Sequence, residues 1–205
     1  MANLSARSIS RLALASGLAL SLSGCGINSV PTEQENAKAK WAEVQAAFQE
    51  RANLIPNLAA VAKGAADQEK GILTGVIEAR AKATSIQLNA GDLTAPAKMA
   101  AFQKAQNGLS TSMMGFGRLL ANTEQYPALK SITNYQMLQS QLEGQENRVR
   151  ITLKDYNEAV QQYNTTIRTF PAMVAAKIIY GSKEMVPYQA STPGAEVAPS
   201  LQGKL

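Results

Sequence analysis

One apolar seam in residues 132–167 limits what this chain can fold into. Large apolar or aromatic side chains recur there at steps of three, four or seven residues. They are Ile132, Tyr135, Leu138, Leu142, Val149, Leu153, Tyr156, Val160, Tyr163 and Ile167. This spacing places all of them on one face of a helix that is expected from Pro127 and would span on the order of 60 Å. So long a face requires other long helices packed at a shallow angle, as in a bundle or coiled coil.

The remaining apolar pattern predicts further helices. The first is expected from Glu33, with a kink or break near Pro56 because proline lacks an amide hydrogen. Its apolar stripe contains Trp41, Val44, Phe48 and Ile55. Another helix is predicted after a loop at residues 89–94, and a short one after the Phe170-Pro171 break. No segment has the pattern of a strand, so the predicted fold is all-α, an antiparallel bundle of long helices without a sheet.

The N-terminal segment indicates how the protein is exported and held. Two arginines precede a short apolar run at residues 12–22, and small residues follow it. This order is typical of a secretory signal peptide. Leu22-Ser23-Gly24-Cys25 resembles the site where bacterial lipoprotein signal peptidase cuts, between Gly24 and Cys25, once the thiol carries a diacylglyceryl group. We therefore expect the mature chain to begin at an acylated Cys25, held in the lipid membrane by its acyl chains.

Two other interpretations of this segment stay open. One is an ordinary cleaved signal peptide in which Cys25 is incidental. The other is an uncleaved anchor, although the apolar run is shorter than the ~20 residues that a spanning helix needs. For the lipoprotein, Gly26 replaces the Asp that retains enterobacterial-type lipoproteins in the inner membrane. The predicted location is therefore the outer membrane, facing the periplasm.

The sequence predicts four parts along the chain. Residues 1–24 form the signal peptide that is removed, and residues 25–32 form a linker after the lipidated cysteine. Residues 33–181 form the helical bundle. Residues 182–205 are expected to be a disordered tail, because prolines and glycines are scattered through them.

Composition excludes several kinds of chemistry. The chain has no histidine and one cysteine, so a Ser-His-Asp or Cys-His arrangement, a disulfide and a cysteine zinc site are excluded once Cys25 is acylated. Removing two arginines with the signal peptide lowers the net charge from +5 to +3. This mild excess does not suggest nucleic acid as a partner. We expect no catalytic residue, no metal and no cofactor, and therefore a protein that is not an enzyme.

Two Tyr-Asn pairs form the first candidate site. Tyr156 and Tyr163 lie seven residues apart, with Asn157 and Asn164 beside them, so the four share one face of a helix. Their hydroxyls and amides would form a binding face for a peptide or glycan. The structural alternative is that each ring packs in the seam and its hydroxyl finds a backbone partner, and heptad spacing favours this alternative.

Three acids form the second candidate site. Glu143 and Glu146 are three residues apart on one helical face, and Glu69 is the third carboxylate that could join them around a cation. Because Glu146 is in step with the apolar seam, it needs a partner, for which Arg80, Arg148 or Arg150 is the candidate. A buried ion pair is favoured over a catalytic acid.

An ordered set of short motifs resembles the bacterial LemA family. The set begins with Leu54-Ile55-Pro56-Asn57-Leu58 and continues through Tyr126-Pro127-Ala128-Leu129-Lys130 and Glu146-Asn147-Arg148-Val149 to Phe170-Pro171. It covers roughly residues 36–181. The resemblance implies an all-helical, membrane-anchored envelope domain without an assigned biochemical role. Many members are held by an N-terminal membrane helix, whereas this chain is expected to use a lipid.

Three functional hypotheses follow. The first is a non-enzymatic module that binds or scaffolds an envelope protein partner. The second is a carboxylate-based envelope hydrolase, which requires at least two acids converging in a cleft that solvent reaches. The third is a passive oligomeric coiled-coil spacer, which requires apolar stripes left exposed on the single chain.

Overall fold

The computed structural model describes residues 3–63, 70–121 and 135–189, and the side chains of residues 27–60, 70–118 and most of 137–189. The helices are α1 (Asn3–Lys63), α2 (Lys70–Ser85), α3 (Pro96–Ala121), α4 (Tyr135–Arg168) and α5 (Ala172–Ile178), with a 3-10 helix at Ala90–Thr94. The described residues contain no strand. The predicted all-α bundle is therefore confirmed.

The two longest helices, α1 and α4, pack side by side in opposite directions. The Trp41 ring lies 5.0 Å from the Tyr156 ring, and the Arg51 guanidinium lies 3.3 Å from the Glu146 carboxylate. Since moving towards the C-terminus of α1 means moving towards the N-terminus of α4, the pair is antiparallel. The same register places the C-terminal end of α4 beside Val30, at the start of the described side chains of α1.

The predicted apolar stripes are buried in two clusters along the bundle. The first, nearer to the N-terminal half of α1, includes Val30, Trp41, Val44, Phe48, Phe102, Val149, Tyr156, Val160, Tyr163 and Ile167. The second is built by α1, α2 and α3 and consists of Ile55, Leu58, Leu73, Val76, Ala83, Leu109, Met113 and Phe116. Burying each large side chain contributes about 1.5–3 kcal/mol, so these clusters supply the main stabilisation of the bundle.

Helix α1 begins before the predicted boundary at residue 33. Residues 25–32, expected to be a linker, are helical, and Val30 is completely buried. The apolar stripe of α1 extends from Trp41 back through Ala37 to Val30, eleven residues before the first member predicted from sequence. Pro31 lies within this helix.

Helix α1 also runs through Pro56 without ending, so the break that was one of the two outcomes expected there does not occur. Pro56 itself is exposed, while its neighbours Ile55 and Leu58 are buried in the second cluster. Burial of the apolar side chains on both sides keeps the chain helical across the missing hydrogen bond.

The C-terminal boundary of the ordered chain also differs from the prediction. The break after Arg168 is confirmed, and Gly181, with a φ of 56°, ends the short helical region. However, residues 182–189 were expected to be disordered, and the structure places them against α4 in an extended path, with Met185 and Tyr188 buried in the first cluster. We call residues 182–189 the clamped segment. Residues 190–205 of the predicted tail lie outside the described residues.

Candidate functional site

The two Tyr-Asn pairs of α4 lie together on the bundle, as the sequence predicted. We call Tyr156, Asn157, Tyr163 and Asn164 the Tyr-Asn ladder. Both tyrosine rings are buried in the first cluster, and both asparagines are half-buried at its edge. The ladder is occupied by the clamped segment of the same chain. It is therefore not the free binding face that the first interpretation of these residues describes.

Each asparagine of the ladder binds one residue of the clamped segment by two hydrogen bonds. The Asn164 amide donates to the Met185 carbonyl at 2.8 Å, and its oxygen accepts from the Met185 N–H at 2.9 Å. Asn157 repeats this arrangement with Tyr188, at 2.8 Å in both directions. The side-chain amides therefore serve as a neighbouring strand would serve, pairing with the main chain whatever the side chain.

The tyrosine hydroxyls donate to two other carbonyl groups of the clamped segment. Tyr156 donates to the Val186 carbonyl at 2.9 Å, and Tyr163 donates to the Lys183 carbonyl at 3.1 Å. On the other side, the Val186 N–H donates to the carbonyl of Leu93 at 2.8 Å. Main-chain groups of the clamped segment are thus paired on both sides, which an ordered extended segment within a fold requires.

The ladder works because two repeats have nearly the same length. Seven residues of α-helix advance about 10.5 Å, and three residues of extended chain advance about 10 Å. Asn164 and Asn157 are seven residues apart, and their partners Met185 and Tyr188 are three apart. Tyr163 and Tyr156 are also seven residues apart, and their partners Lys183 and Val186 are also three apart. The seven-residue spacing that packs the seam therefore also places the ladder side chains where they can bind every third residue of an extended segment.

Burial perturbs the tyrosines at this site. It raises the pKa of the Tyr188 hydroxyl to about 12, with the Arg51 charge opposing and the Glu146 charge adding to the shift. Burial also raises the pKa of Tyr156 well above its ordinary value. Both hydroxyls therefore stay neutral at physiological pH. Tyr156 acts there as a hydrogen-bond donor, which is the role it has towards Val186.

A second polar centre surrounds Arg51, which is only 1% exposed. Its guanidinium donates to Gln106 Oε1 at 2.8 Å, to Ser110 Oγ at 2.9 Å and to Glu146 Oε1 at 3.3 Å. It also lies 4.9 Å from the centre of the Phe48 ring. The Gln106 amide donates in turn to the Ala83 carbonyl at 3.2 Å. This network joins α1, α2, α3 and α4.

The partner of Glu146 is therefore Arg51, and none of the three arginines proposed from sequence. Arg80 donates to the Ala52 carbonyl, Arg148 pairs with Glu50, and Arg150 donates to Asn147. The Glu146 side chain is 43% exposed, so the pair is buried on the arginine side alone. Arg51 was missed as a partner, although a signal exists: it falls in step with Val44, Phe48 and Ile55 on the apolar stripe of α1.

The three candidate acids are not brought together by the described part of the chain. Glu143 is exposed on α4, one turn before Glu146, and has its own interaction. Glu69 lies outside the described residues. Within the described ranges, no group of three or more His, Cys, Asp or Glu is arranged to hold a metal ion. No helix in those ranges is both long and apolar enough to cross a membrane.

An open cleft of about 340 Å³ lies where α1, α2 and α3 meet. Its lining combines side-chain amides with apolar side chains. The lining residues are Gln45, Ala46, Phe48, Gln49, Ala52, Ala83, Thr84, Ile86, Gln87, Phe102, Gln106 and Leu109. None of these described residues ionises. The cleft therefore offers hydrogen bonds and apolar contact to an occupant, and no lining group that transfers a proton at neutral pH.

Comparison with known proteins gives one family. The model of the LemA family matches residues 40–202 of this chain, which is most of its length. The match includes the ladder, the clamped segment and the Arg51 network.

Three individual proteins that match this chain share about a quarter of its residues over the matched part. Magnetosome proteins MamQ 1 and MamQ 2 of Paramagnetospirillum magneticum are each 26% identical over 162 residues, which is 70% of this chain and 58% of theirs. Magnetosome protein MamQ of Magnetospirillum gryphiswaldense is 26% identical over 159 residues, with the same coverage. The matched part thus spans less than two thirds of the length of these relatives.

Proposed function

Because this chain belongs to the LemA family, we propose that it is a lipid-anchored helical module of the bacterial envelope, which binds or organises other envelope proteins and catalyses no reaction. The proposal places the mature protein on the periplasmic side of a membrane, attached through Cys25. Gly26 favours the outer membrane over the inner.

The observation that carries the non-catalytic role is what the conspicuous polar side chains do. The Tyr-Asn ladder binds main chain, and the Arg51 network joins four helices. Groups of this kind position protein segments, whereas acid–base catalysis requires an ionisable group placed at the substrate. In the described bundle these groups hold segments of the chain itself in place, which supports a non-catalytic role better than it supports turnover.

The two alternative functions receive less support. A hydrolase built on Glu146 would have to release that carboxylate from Arg51, which is buried and would be left without its counter-charge. A coiled-coil spacer would present its apolar stripes to a second chain. Instead, Trp41, Phe48, Tyr156 and Tyr163 bury theirs within one chain.

The proposal is tested by crosslinking in cells. Photoactivatable residues at three exposed positions, Ile77, Met114 and Ile151, sample separate surfaces of the bundle. The anchored protein is compared with a matched form whose signal peptide is replaced by one that releases a soluble periplasmic protein. We expect one or a few discrete envelope proteins, captured at one of these surfaces and only by the anchored form.

Two outcomes would contradict the proposal. The first is capture of nothing beyond further copies of this chain, which would favour the spacer. The second is turnover of an envelope substrate by the purified protein that is lost in Glu146→Gln and kept in Glu143→Gln. This pair of variants separates the acid paired with Arg51 from its exposed neighbour on the same helix.

A further inference from the structure

Five large apolar side chains crowd one exposed region around α5. They are Phe170, Val174, Ile178, Ile179 and Tyr180, which we call the α5 patch. Phe170 is 81% exposed and Ile178 is 79% exposed. Val174 and Ile178 are four residues apart and share the outer side of α5, and Phe170 lies in the turn just before that helix. Single exposed apolar residues are ordinary, but a contiguous group marks an interaction surface.

The side of α5 opposite the patch carries small residues that pack against the bundle, so the large apolar residues point away from it. Ala172, Ala175 and Ala176 are buried, and two of them pack in the first cluster with Val30 and Ile167. Small residues therefore face the bundle and large ones face away from it. Such a division is unfavourable in water unless something apolar covers the outer face.

The position of the patch indicates what covers it. In the antiparallel register of α1 and α4, Ile167 lies at the level of Val30, so Phe170 lies at the level of residues 25–29. Val30 is five residues after Cys25, which corresponds to a rise of about 7.5 Å along a helix. If Cys25 is acylated, the patch is therefore at the height of the lipid headgroups.

The charge of the chain segment that carries the patch fits the same surface. Residues 168–184 contain three basic side chains, Arg168, Lys177 and Lys183, and one acid, Glu184, which pairs with Arg168 at 3.5 Å. The net charge of this stretch is thus +2. Aromatic and aliphatic side chains flanked by lysines are the composition that binds the interface of a bilayer containing anionic lipid.

We propose that the α5 patch is a second membrane contact, which lies in the headgroup layer of an anionic bilayer beside the anchor and fixes the orientation of the bundle. The inference rests on the proposed attachment of the chain at its N-terminal end. One acylated residue would otherwise leave the bundle free to tilt. Two contacts at the same end would hold the helix axes away from the membrane surface.

The chain provides a well-matched test, because its one cysteine is Cys25 and acylation removes that thiol. In full-length Ile178→Cys, the introduced thiol carries an environment-sensitive fluorophore. The control is Ile77→Cys, at another exposed isoleucine, on α2 beside the second cluster. Both proteins are reconstituted into vesicles of phosphatidylethanolamine with roughly one quarter phosphatidylglycerol, with and without headgroup-proximal spin-labelled lipid.

We expect blue-shifted emission at position 178 and quenching by the labelled lipid at least about threefold greater than at position 77. Replacing the phosphatidylglycerol by phosphatidylcholine should reduce the quenching at position 178 about twofold, because the lysines lose their counter-charge. Equal quenching at the two positions would overturn the proposal. Blue-shifted emission without lipid quenching would also overturn it, since a protein surface would then cover the patch.

Mass analysis of the N-terminal peptide in the same samples separates the two proposals. Acylated Cys25 with equal quenching at both positions contradicts the α5 patch and leaves the anchor intact. An unmodified Cys25 contradicts the lipid anchor, and the same labelling is then read in proteins that also carry Cys25→Ser, where quenching confined to position 178 supports the patch.

Discussion

Asn157 is the residue at which the ladder is tested most sharply, because its amide both donates to and accepts from Tyr188. Asn157→Asp keeps the shape and the acceptor but loses the donor, so a carboxylate oxygen faces the Tyr188 carbonyl. We expect this change to lower the free energy of unfolding by about 1–3 kcal/mol, the cost of leaving a buried polar group unpaired. Chemical denaturation of the purified protein measures it.

The control for this change is Gln161→Ala, on an exposed turn of the same helix. It should alter the free energy of unfolding by less than about 0.5 kcal/mol. If Asn157→Asp were as mild as Gln161→Ala, the amide pairing would contribute nothing and the account of the ladder would be wrong.

Tyr188 predicts how stability responds to alkaline pH. Burial raises its pKa from 10.0 to about 12 in the folded protein, so the folded state keeps a proton that the unfolded state loses. The stabilisation is fully present below pH ~10 and is lost as the pH rises from ~10 to ~12, by up to about 1.4 kcal/mol per pH unit. Denaturation curves recorded across this range measure the slope.

Tyr188→Phe removes this ionisation, so we expect a shallower loss of stability with alkaline pH. The exposed Tyr180 gives the matched variant, and Tyr180→Phe should leave the slope of the parent protein unchanged. A parent protein whose stability is constant from pH ~9 to ~12 would contradict the buried, neutral state of Tyr188.

Gln106 predicts how much the polar network contributes to the fold. Gln106→Ala would leave both Arg51 Nη2 and the Ala83 carbonyl without a partner in the bundle interior. Arg51 keeps Ser110 and Glu146 as partners, so the expected loss is that of two unsatisfied buried groups, about 2–4 kcal/mol in the free energy of unfolding. Lys104→Ala, on the exposed side of α3, is the control, and a loss no larger than in this control would contradict the role of the network.

At the scale of elements, the clamped segment should behave as part of the fold. A chain that stops after residue 182 loses the burial of Met185 and Tyr188 together with the ladder hydrogen bonds. We expect its melting temperature to fall by roughly 10 °C, from a loss of about 3 kcal/mol. A chain that stops after residue 189 keeps all of these contacts and should melt like the full chain.

The comparison of these two truncations is decisive because they differ only in the segment itself. If both truncations melted at the temperature of the full chain, residues 182–189 would return to the disordered tail predicted from sequence. A fall in the second truncation as large as in the first would mean that residues 190–205 also belong to the fold.

The helices and the clamped segment differ in how far sequence could predict them. Helix α4 was predictable because a seam of apolar side chains at steps of three, four and seven has one favourable arrangement, burial on a helix face. The clamped segment has no such period, and Pro187 within it suggests disorder. Its order comes from side-chain amides at distant positions in the sequence, and a local pattern does not contain that information.

The Arg51 network shows the same limit for the candidate acids. The position of Glu146 in step with the seam predicted a charged partner; Arg51 is that partner, although the burial is on the arginine side and Glu146 is 43% exposed. The partner's identity depended on the register of α1 against α4, which is set by tertiary packing. The sequence therefore predicted that a pair exists, and the structure supplied Arg51 as its other half.

At the scale of the whole molecule, the two proposals together give the bundle one end that contacts a membrane. Cys25, the α5 patch and the basic side chains near it are placed at that end, while the second cluster and the exposed Ile77 lie at the other. Proteins that contact the bundle would then meet it at a height above the membrane set by the length of α1.

The most direct test of this account is the mass of the N-terminal peptide of the protein purified from its native membrane. We predict a peptide that begins at Cys25 and carries a diacylglyceryl group on the sulfur, with residues 1–24 absent. A peptide that begins elsewhere, or one that contains an unmodified Cys25, would contradict the lipid anchor on which the proposed function is built.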